Sequence, residues 1–545
     1  MTSNTGRRQW LAAMTGTAGG LLATGWSVGS AAAEPSARPA AADVPPGLTG
    51  DGVADDAPAI QTALDAAAAG GGLVALPRGR YRLASLLRPR SGVMLVGAGS
   101  ATVLVPEGRS PAIGGEFSSA SPLIGFHCRD LAIDGIDQSG PYTSFAKGIY
   151  VTHLSGCSFV NLLVVATAAT GIGIDYLYDG TTVRDCRVVG CGRLNGGGQP
   201  GGAGIGIGTG SRPLESFVIT GNHCARNARF GIFVEAQTSL ASTGGRIIAN
   251  ACEQNRHGIG DAGMAGLVVA GNICVGNTGS GIVVDSGTLS PIVGREGHVV
   301  DNVSSRNGEF GIHVDTTVGP GGRGYTFRGN RCERNGKAGV KLSSNATRAI
   351  VGIVVADNDI HENGSVGIHV TSTGAVARDL SIAGNRLAGN GQTNTVGFTQ
   401  AVRLDTTTER FGIVNNTCWD AGSPKRQTVG IQLTAGATFT DGTIAGNHVT
   451  GNAAAGLDLA GRLVGCRVGD NLGDVVAPPR VVPVGPSPWT YTAGASAEVL
   501  YISGGSMTAV AKAGVVLAAP TVHLQPNQQI TITYAAAPRV VVERQ

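Results

Sequence analysis

Short apolar runs, broken by glycine and asparagine, recur along most of this chain. From residue 222 onward, two asparagines five positions apart return again and again, and most pairs begin 22 to 30 residues after the previous one. The eight pairs are Asn222/Asn227, Asn250/Asn255, Asn272/Asn277, Asn302/Asn307, Asn330/Asn335, Asn358/Asn363, Asn385/Asn390 and Asn447/Asn452. No helical period of apolar positions runs through these segments, so the pattern predicts short β-strands joined by turns.

A second phrase, of the form Gly-Ile-x-Val, follows the paired asparagines. Copies or close variants begin at residues 148, 171, 204, 231, 281, 311, 339, 367, 430 and 456. A repeat this short cannot bury a core of its own, so successive repeats must stack. Identical asparagines stacked one rung apart can bond along the column and satisfy turn backbone groups. The repeats therefore predict a parallel β-solenoid with three short strands in each rung.

Alternation along a strand places the two apolar residues of each phrase inside the solenoid and the x residues outside. Read rung by rung, the outward positions form one surface stripe that is rich in charge. Acids occupy its first part, at Asp175, Glu235, Asp285 and Asp315, and bases follow at His313, Lys341, His369 and Arg403. One irregular rung, near 258–261, interrupts the series.

Composition narrows the function classes. The 545 residues include 87 glycines, only 14% are charged, and the formal net charge is +3. A hydrophobic content of 42% excludes wholesale disorder, and the absence of a three-residue glycine period excludes collagen. No run rich in lysine or arginine occurs, which argues against nucleic acid as the main partner.

The N-terminus has the features of an export signal. Arg7 and Arg8 precede a weakly apolar run that ends in Ala31-Ala32-Ala33. This order resembles a twin-arginine signal peptide over residues 1–33, followed by an Ala- and Pro-rich linker over 34–47. We expect an extracellular or periplasmic protein with no membrane span after cleavage.

Residues 50–105, which include GDGVADDAPAIQTALDAAAAGGG and VMLVGAGSATVLV, resemble the opening of pectate-lyase-superfamily (pectin-lyase-like) proteins. The resemblance implies a right-handed parallel β-helix over residues 48–475. It also implies a cap helix from Asp55 to Ala69 that covers the first rung, with Asp55 or Asp56 near its N-cap and Gly70 at its end.

The repeat stops near residue 475. Residues 476–485 are predicted to form a hinge, and 486–545 alternate as the strands of a small β-sandwich or barrel. Such a domain suits capping, surface binding or oligomerisation.

Ten cysteines occur, and five of them fall two residues after a repeat asparagine. These five are Cys224, Cys252, Cys274, Cys332 and Cys418. Because these five cysteines occupy the same position in their rungs, we predict that they form an inward column of free thiols rather than disulfides.

The outward stripe supplies the candidate chemistry. The predicted catalytic residues are Glu235, Asp285, His313, Asp315 and Lys341, and the predicted substrate-binding residues are Asp175, Phe233, His369, Arg403 and Asp405. Tyr142, Phe145, Tyr176, Tyr178 and Trp419 are candidate stacking platforms for sugars.

Three chemistries fit these residues. Asp285 and Asp315, one rung apart, suit a retaining hydrolase, and Glu235 and Asp285, two rungs apart, suit an inverting one. A lyase or epimerase would use Lys341, Arg403 or His313 as a base, and the clustered Asp285 and Asp315 are candidate ligands for Ca²⁺. No other cofactor is expected.

The chain lacks the Asn-Thr-Asp and Arg-Ile-Lys phrases of polygalacturonases, and its Asp55-Asp56 pair belongs to the predicted cap and does not match their Asp-Asp phrase. It also lacks the Trp-Ile-Asp-His phrase of pectate lyases and the Asp-Pro-His phrase of alginate epimerases. No family catalytic set can therefore be transferred. We predict an exported lyase or glycoside hydrolase that acts on a polysaccharide, acidic ones included, in a groove along the parallel strands. The alternative is a non-catalytic glycan-binding or surface β-helix protein.

Overall fold

A computed structural model describes residues 44–70, 72–285, 296–315, 323–345, 349–474, 478–518 and 520–544. The predicted signal peptide and most of the predicted linker lie outside the described residues, and export remains a prediction. None of the described helices has the length and apolar character needed to cross a membrane.

Three parallel sheets run along one solenoid, and most rungs contribute one short strand to each sheet. The strands of the first sheet are Asp51–Asp55, Gly79–Leu83, Thr102–Pro106, Ala132–Asp134, Leu163–Val165, Arg187–Val189, His223–Ala225, Ala251–Glu253, Ile273–Val275, Val303–Ser305, Arg331–Glu333, Asp359–His361, Arg386–Ala388 and Thr417–Trp419. Those of the second sheet are Leu73–Ala75, Met94–Val96, His127–Arg129, Ser158–Val160, Thr181–Arg184, Leu214–Thr220, Thr243–Ile248, Leu267–Ala270, Gly297–Val300, Tyr325–Arg328, Val354–Ala356, Ala377–Ala383, Thr408–Val414, Thr438–Thr440, Thr443–Ala445, Arg462–Val464 and Arg467–Gly469. Those of the third sheet are Ile113–Gly115, Leu123–Ile124, Ile149–Ser155, Ile172–Tyr178, Ala203–Thr209, Phe230–Ala236, His257–Ala262, Ile282–Asp285, Ile312–Asp315, Val340–Ser344, Ile368–Ser372, Val402–Leu404, Val429–Leu433 and Ala455–Leu459. The predicted β-solenoid is confirmed.

The Gly-Ile-x-Val phrases form the third sheet in the predicted register. Ile282 pairs with Ile312, which pairs with Val340, and the series continues to Ile368. All four side chains are buried with almost no exposed surface. The irregular rung near 258–261 keeps this register. There Asp261 takes an inward position, where its carboxylate accepts hydrogen bonds from Tyr325 and from the backbone of Gly263 and Met264.

The repeat asparagines form two buried ladders. In the first, the Oδ1 atom of Asn330 accepts hydrogen bonds from the backbone N and the Nδ2 of Asn302, at 3.1 and 3.0 Å. The Nδ2 of Asn330 donates in turn to the Val299 carbonyl, at 2.8 Å, and to Asn358. The same bonds repeat on neighbouring rungs, so each amide satisfies turn groups that would otherwise be buried without partners. The first ladder contains Asn222, Asn250, Asn272, Asn302, Asn330, Asn358, Asn385, Asn416, Asn447 and Asn471.

The cysteines belong to the core. All ten are buried and free of disulfides. Cys224, Cys252 and Cys274 are register partners in the first sheet, and Ser304 and Cys332 continue the column. The predicted column of free thiols is confirmed.

A helix caps the N-terminal end and runs from Ala57 to Ala68, shorter at its start than predicted. Asp56 is its N-cap by position, but its carboxylate bonds to Thr49 and Gly50 instead of the helix. Asp55 accepts the hydrogen bond from the Ala57 backbone N. Ile60 and Leu64 pack into the first rungs, so the helix covers the end of the core.

The C-terminal part forms two antiparallel sheets that share one core containing Leu500, Ile532 and Val540. One sheet contains Arg480–Val482, Glu498–Ser503, Thr521–Leu524 and Arg539–Arg544, and the other contains Trp489–Thr492, Ser506–Lys512, Val515–Val516 and Gln529–Ala536. Arg480–Val482 lies within the predicted hinge, and it pairs as an edge strand with Arg539–Arg544. Two stacked antiparallel sheets correspond to the sandwich form of the predicted β domain.

Candidate functional site

Two columns of side chains cover the outer face of the third sheet. The first column, in register order, contains Tyr150, Gly173, Gly206, Phe233, Gly260, Val283, His313, Lys341, His369, Arg403 and Gln432. The second contains Thr152, Asp175, Gly208, Glu235 and Ala262, and further along Asp285, Asp315 and Ser343. The predicted stripe is therefore one continuous surface.

A cavity of about 240 Å³ opens on the first part of this stripe. Its polar and aromatic lining includes Tyr142, Lys147, Tyr150, Asp175, Arg229, Phe233 and Glu235. We call it the carboxylate pocket. Four sequence-predicted residues meet here, because Asp175, Phe233, Glu235 and the candidate stacking platform Tyr142 all belong to it.

Asp175 and Glu235 flank Gly208 in the second column, with one rung on each side. Strands in a sheet lie about 4.8 Å apart, so the two carboxylate-bearing residues are about 10 Å apart along the sheet. Because Gly208 has no side chain, the Asp175 carboxylate can lie directly over it. A Cβ atom at this position would lie 2.3 Å from Asp175 Oδ1, which is far inside contact distance.

Lys147 reaches the pocket from the turn before the strand Ile149–Ser155. Its side chain crosses Gly173, where a Cβ atom would lie 2.6 Å from Lys147 Cδ. The Nζ atom lies 3.7 Å from the centre of the Tyr150 ring, a cation–π arrangement. The glycines of the phrases at 171 and 204 thus leave room for side chains that arrive from elsewhere.

Stacked aromatic rings form one wall. Phe230 and Phe233 have centroids 4.4 Å apart and planes within 10° of parallel. The Arg229 guanidinium lies 5.2 and 5.3 Å from the two ring centres. Such a wall offers a flat apolar face beside charged groups, and the apolar face of a sugar ring can stack on it.

Burial shifts the titration of both carboxyl groups. It raises the pKa of Asp175, although Lys147 and a hydrogen bond from the Gly208 backbone oppose the shift. It also raises the pKa of Glu235, which Arg229 and Gln237 oppose and the negative charge of Asp175 reinforces. Burial lowers the pKa of Lys147, against the attraction of Asp175 and Glu235. Burial, followed by the charge of Asp175, raises the pKa of Tyr150 to about 12.

A second group, the basic cluster, occupies the later rungs of the same face. Lys341 Nζ lies 2.8 Å from His369 Nδ1, and His369 Nε2 lies 2.7 Å from Asp405 Oδ2. The Nε of Arg403 donates to the other carboxylate oxygen of Asp405, also at 2.7 Å. The structure therefore brings together four sequence-predicted residues in a continuous chain of hydrogen bonds.

Burial also governs the pKa values in the basic cluster. It lowers the pKa of Lys341 to about 8, with Asp405 opposing the shift and Arg403 adding to it. Burial lowers the pKa of His369 as well, although the hydrogen bond to Asp405 opposes this. Burial tends to raise the pKa of Asp405, but the hydrogen bonds and charges of His369 and Arg403 outweigh it and lower the value.

His313 lies one rung before Lys341 and bonds to Ser343, at 2.9 Å from its Oγ. Burial lowers the pKa of His313 to about 4, so the imidazole is neutral at physiological pH. The ring is held in place and is not part of the carboxylate pocket.

Asp285 and Asp315 are register partners on adjacent strands, as the sequence predicted. The side chain of Asp285 lies outside the described residues, so the carboxylate pair and its candidate Ca²⁺ site remain predictions. Among the residues that the structure describes, no group of three or more His, Cys, Asp or Glu side chains could hold a metal ion.

Sequence reasoning missed Lys147, Phe230 and Arg229. Lys147 and Phe230 directly precede the glycine of a Gly-Ile-x-Val phrase, and Arg229 lies one position earlier. That position was the available signal, because a residue at the start of a strand, or in the turn just before it, can project over the face of the neighbouring strands. Trp419, a candidate stacking platform, lies in the first sheet, on a different face of the solenoid from the stripe.

Comparison with known proteins identifies the family to which this architecture belongs. The model of the right-handed β-helix region matches residues 142–351, 292–387 and 321–472, which together cover more than half of the chain. A model described as rhamnogalacturonase A/epimerase, pectate lyase-like, matches residues 45–125.

Curated relatives match over short segments only. Mannuronan C5-epimerase AlgE3 of Azotobacter vinelandii is 43% identical over 101 residues, which is 16% of this chain and 6% of that protein. Mannuronan C5-epimerase AlgE6 of the same organism is 33% identical over 165 residues, which is 24% of this chain and 19% of that protein. The chain thus spans less than a fifth of the length of these relatives.

Solved structures are similar over most of the chain. The A-module of Azotobacter vinelandii AlgE6 is 21% identical, with a TM-score of 0.41, over 80% of this chain and 98% of that one. A tailspike protein mutant of E. coli bacteriophage HK620 is 14% identical, with a TM-score of 0.49, over 91% of each chain. The extent of the matching family model, together with the three parallel sheets, shows that the chain belongs to the right-handed parallel β-helix family.

Proposed function

We propose that this protein is a carbohydrate-active enzyme that binds a polysaccharide along the outer face of the third sheet. Cleavage takes place in the carboxylate pocket, between Asp175 and Glu235. The observation that carries the proposal is the pairing of two half-buried carboxyl groups on either side of Gly208, beside stacked aromatic rings.

The geometry favours hydrolysis with inversion. In inverting glycosidases the two carboxyl groups lie about 6.5–9.5 Å apart, which leaves space for the attacking water. Two rungs of about 4.8 Å each set the backbones of Asp175 and Glu235 near the upper end of that range. Asp175 accepts a hydrogen bond from Gly208 and faces Lys147, and both interactions favour its ionised form. Its charge then helps to keep Glu235 protonated. In this assignment Glu235 donates a proton to the leaving oxygen, and Asp175 takes a proton from the water.

A uronan epimerase or lyase is the second candidate, and Lys147 favours it. A lysine with a lowered pKa can remove the proton at C5 of a uronic acid, and Arg229 can neutralise the neighbouring carboxylate. Return of a proton to the opposite face gives epimerisation, and loss of the C4–O bond gives a lyase product. The names of the curated relatives, which are mannuronan C5-epimerases, agree with this class of substrate.

A product assay separates these alternatives. The full chain is incubated with neutral polysaccharides and with uronans, with and without a chelator, beside a matched Asp175→Asn/Glu235→Gln variant. New reducing ends without ultraviolet absorbance indicate a hydrolase, unsaturated ends indicate a lyase, and a changed uronate configuration by NMR indicates an epimerase. Binding without turnover on every substrate would contradict the enzyme proposal and support the non-catalytic alternative.

A further inference from the structure

A second groove lies on the outer face of the first sheet, away from the carboxylate pocket. Its volume is about 930 Å³, and the side chains that define it are Arg331, Arg334, Asp359, Glu362, Arg386 and Trp419. We call it the Trp419 groove. None of these residues belongs to the outer face of the third sheet.

Register explains why the groove is open beside the indole. Glu333, His361, Ala388 and Trp419 follow one another in one outward column of the first sheet. Ala388 lies directly next to Trp419 and is too small to cover it. The Arg386 guanidinium lies 4.7 Å from the centre of the indole ring, so a cation also orients the aromatic side chain.

Arginine–carboxylate pairs line the rest of the groove. Arg334 Nε lies 2.6 Å from Glu362 Oε2, and Arg386 Nη1 lies 3.0 Å from Asp359 Oδ1. The arginine side chains remain about half exposed, at 48% and 58%. Exposed pairs of this kind contribute little to stability, and each guanidinium carries five N–H donors, so unused donors remain for a ligand.

The charges of the groove balance. The lining contains three arginines and three carboxylates, which are Arg331, Arg334, Arg386, Asp359, Glu362 and Asp420. Asp420 holds the rim in place, because its carboxylate accepts hydrogen bonds from the backbone N atoms of Gly422 and Gln427, both at 2.7 Å. A balanced surface does not attract a polyanion, whereas alternating donors and acceptors match the hydroxyl groups of a neutral sugar.

We infer that the Trp419 groove is a binding site for a neutral oligosaccharide, with a sugar ring stacked on Trp419 and its hydroxyl groups bonded to the paired arginines and carboxylates. The site lies on a different sheet from the carboxylate pocket and does not depend on the proposed reaction. It would hold a glycan chain on the protein independently of turnover.

The test uses the full chain on an array of neutral and acidic glycans, followed by calorimetry with each neutral oligosaccharide that binds. Trp419→Ala is expected to weaken this binding at least tenfold, and Trp419→Phe to restore most of it. Arg386→Gln removes the guanidinium but keeps the Trp419 indole, and it should weaken binding severalfold. Tyr501→Ala, which removes an exposed aromatic from the C-terminal sandwich, is the matched control.

The Asp175→Asn/Glu235→Gln variant should bind the same neutral glycans as the unmodified chain, which separates this site from the carboxylate pocket. Circular dichroism and thermal unfolding check that each variant is folded. The inference is overturned if no neutral glycan binds, if Trp419→Ala, Trp419→Phe and Arg386→Gln leave affinity unchanged, or if binding disappears with the carboxylate-pocket variant alone.

Discussion

Asp175 and Glu235 lie on either side of Gly208 in a single column of the third sheet, although they are far apart in the chain. Both carboxyl groups have raised pKa values, chiefly because they are buried. This relationship joins the repeat pattern to the proposed chemistry, because only stacking in register brings the two residues together.

Removal of either carboxyl group should abolish most of the turnover. We expect Asp175→Asn and Glu235→Gln each to lower kcat by about 10²–10⁴-fold, the range for loss of a general acid or base. Substrate affinity should change much less, since both substitutions keep the size of the side chain. Initial rates with the substrate from the product assay measure the effect. Asp379→Asn, a carboxylate on the second sheet that pairs with Arg410, is the control and should retain full activity.

Gly208 should be intolerant of even a methyl group. In Gly208→Ala the new Cβ would collide with Asp175 Oδ1, so the carboxylate must move out of line with Glu235. We expect at least a tenfold loss of kcat in a folded protein. Gly412→Ala, in a strand of the second sheet with no atom within 4 Å of the added Cβ, is the matched control. Equal activity of the two variants would show that the position of Asp175 is not important.

Stability should rise when the buried charge of Asp175 is removed. A carboxyl group whose pKa is higher in the folded state than in the unfolded state makes a contribution to stability that depends on pH. The contribution is fully present at pH values below the unfolded pKa, and it is lost as the pH rises through the folded pKa. Asp175→Asn should therefore have a higher Tm than the unmodified protein at pH 7.5, and the difference should narrow toward pH 4. The control is Asp379→Asn, because Arg410 lowers the pKa of Asp379. The effect of Asp379→Asn on Tm should have the opposite sign or be too small to detect. A Tm difference for Asp175→Asn that is the same at every pH would contradict the prediction.

The asparagine ladders should carry much of the stability. Asn330→Ala removes the acceptor of two buried donors of Asn302, and each unsatisfied buried donor costs about 1–3 kcal/mol. We expect a loss of about 3 kcal/mol or more in the free energy of unfolding, measured by urea denaturation. Asn222→Ala, at the start of the ladder, removes the acceptor of one donor only, the backbone N of Cys186, and should cost about half as much.

Lys341 should titrate within an accessible pH range. The chain contains five lysines, so ¹³C-labelled lysine gives few NMR signals, and Lys341→Arg identifies the signal of interest. That signal is expected to titrate near pH 8, because burial lowers the pKa of Lys341. Lys337, which pairs with Glu309 at the surface, supplies a second lysine signal for comparison. A Lys341 midpoint above pH 10 would show that the basic cluster is well solvated.

Much of the fold could be predicted because its signals are local. The spacing of the paired asparagines and the alternation in each Gly-Ile-x-Val phrase were enough to place Ile282, Ile312 and Val340 in one inward row. The phase of the cysteines predicted their column for the same reason. The ladder position of Asn471 was missed, because no partner asparagine follows it five residues later.

The surface that carries the candidate site could be predicted from strand alternation, and the carboxylate pocket opens on its early rungs, beside Asp175 and Glu235. The catalytic and binding roles assigned along the stripe stay predictions. Lys147 and Arg229 enter from turns, and the direction of a turn side chain depends on how its rung sits on the next one. The face on which Trp419 lies could not be predicted, because the sequence context of one tryptophan does not indicate which sheet its strand joins.

By itself the sequence determined the stacking of the rungs and which residues face outward, since strand alternation and asparagine bonding are properties of neighbouring positions. Only the tertiary structure decided where a cavity opens, which carboxyl groups lose their water and which side chains cross a glycine to reach them. Those outcomes depend on packing between residues that are distant in the chain, and no local pattern encodes that packing.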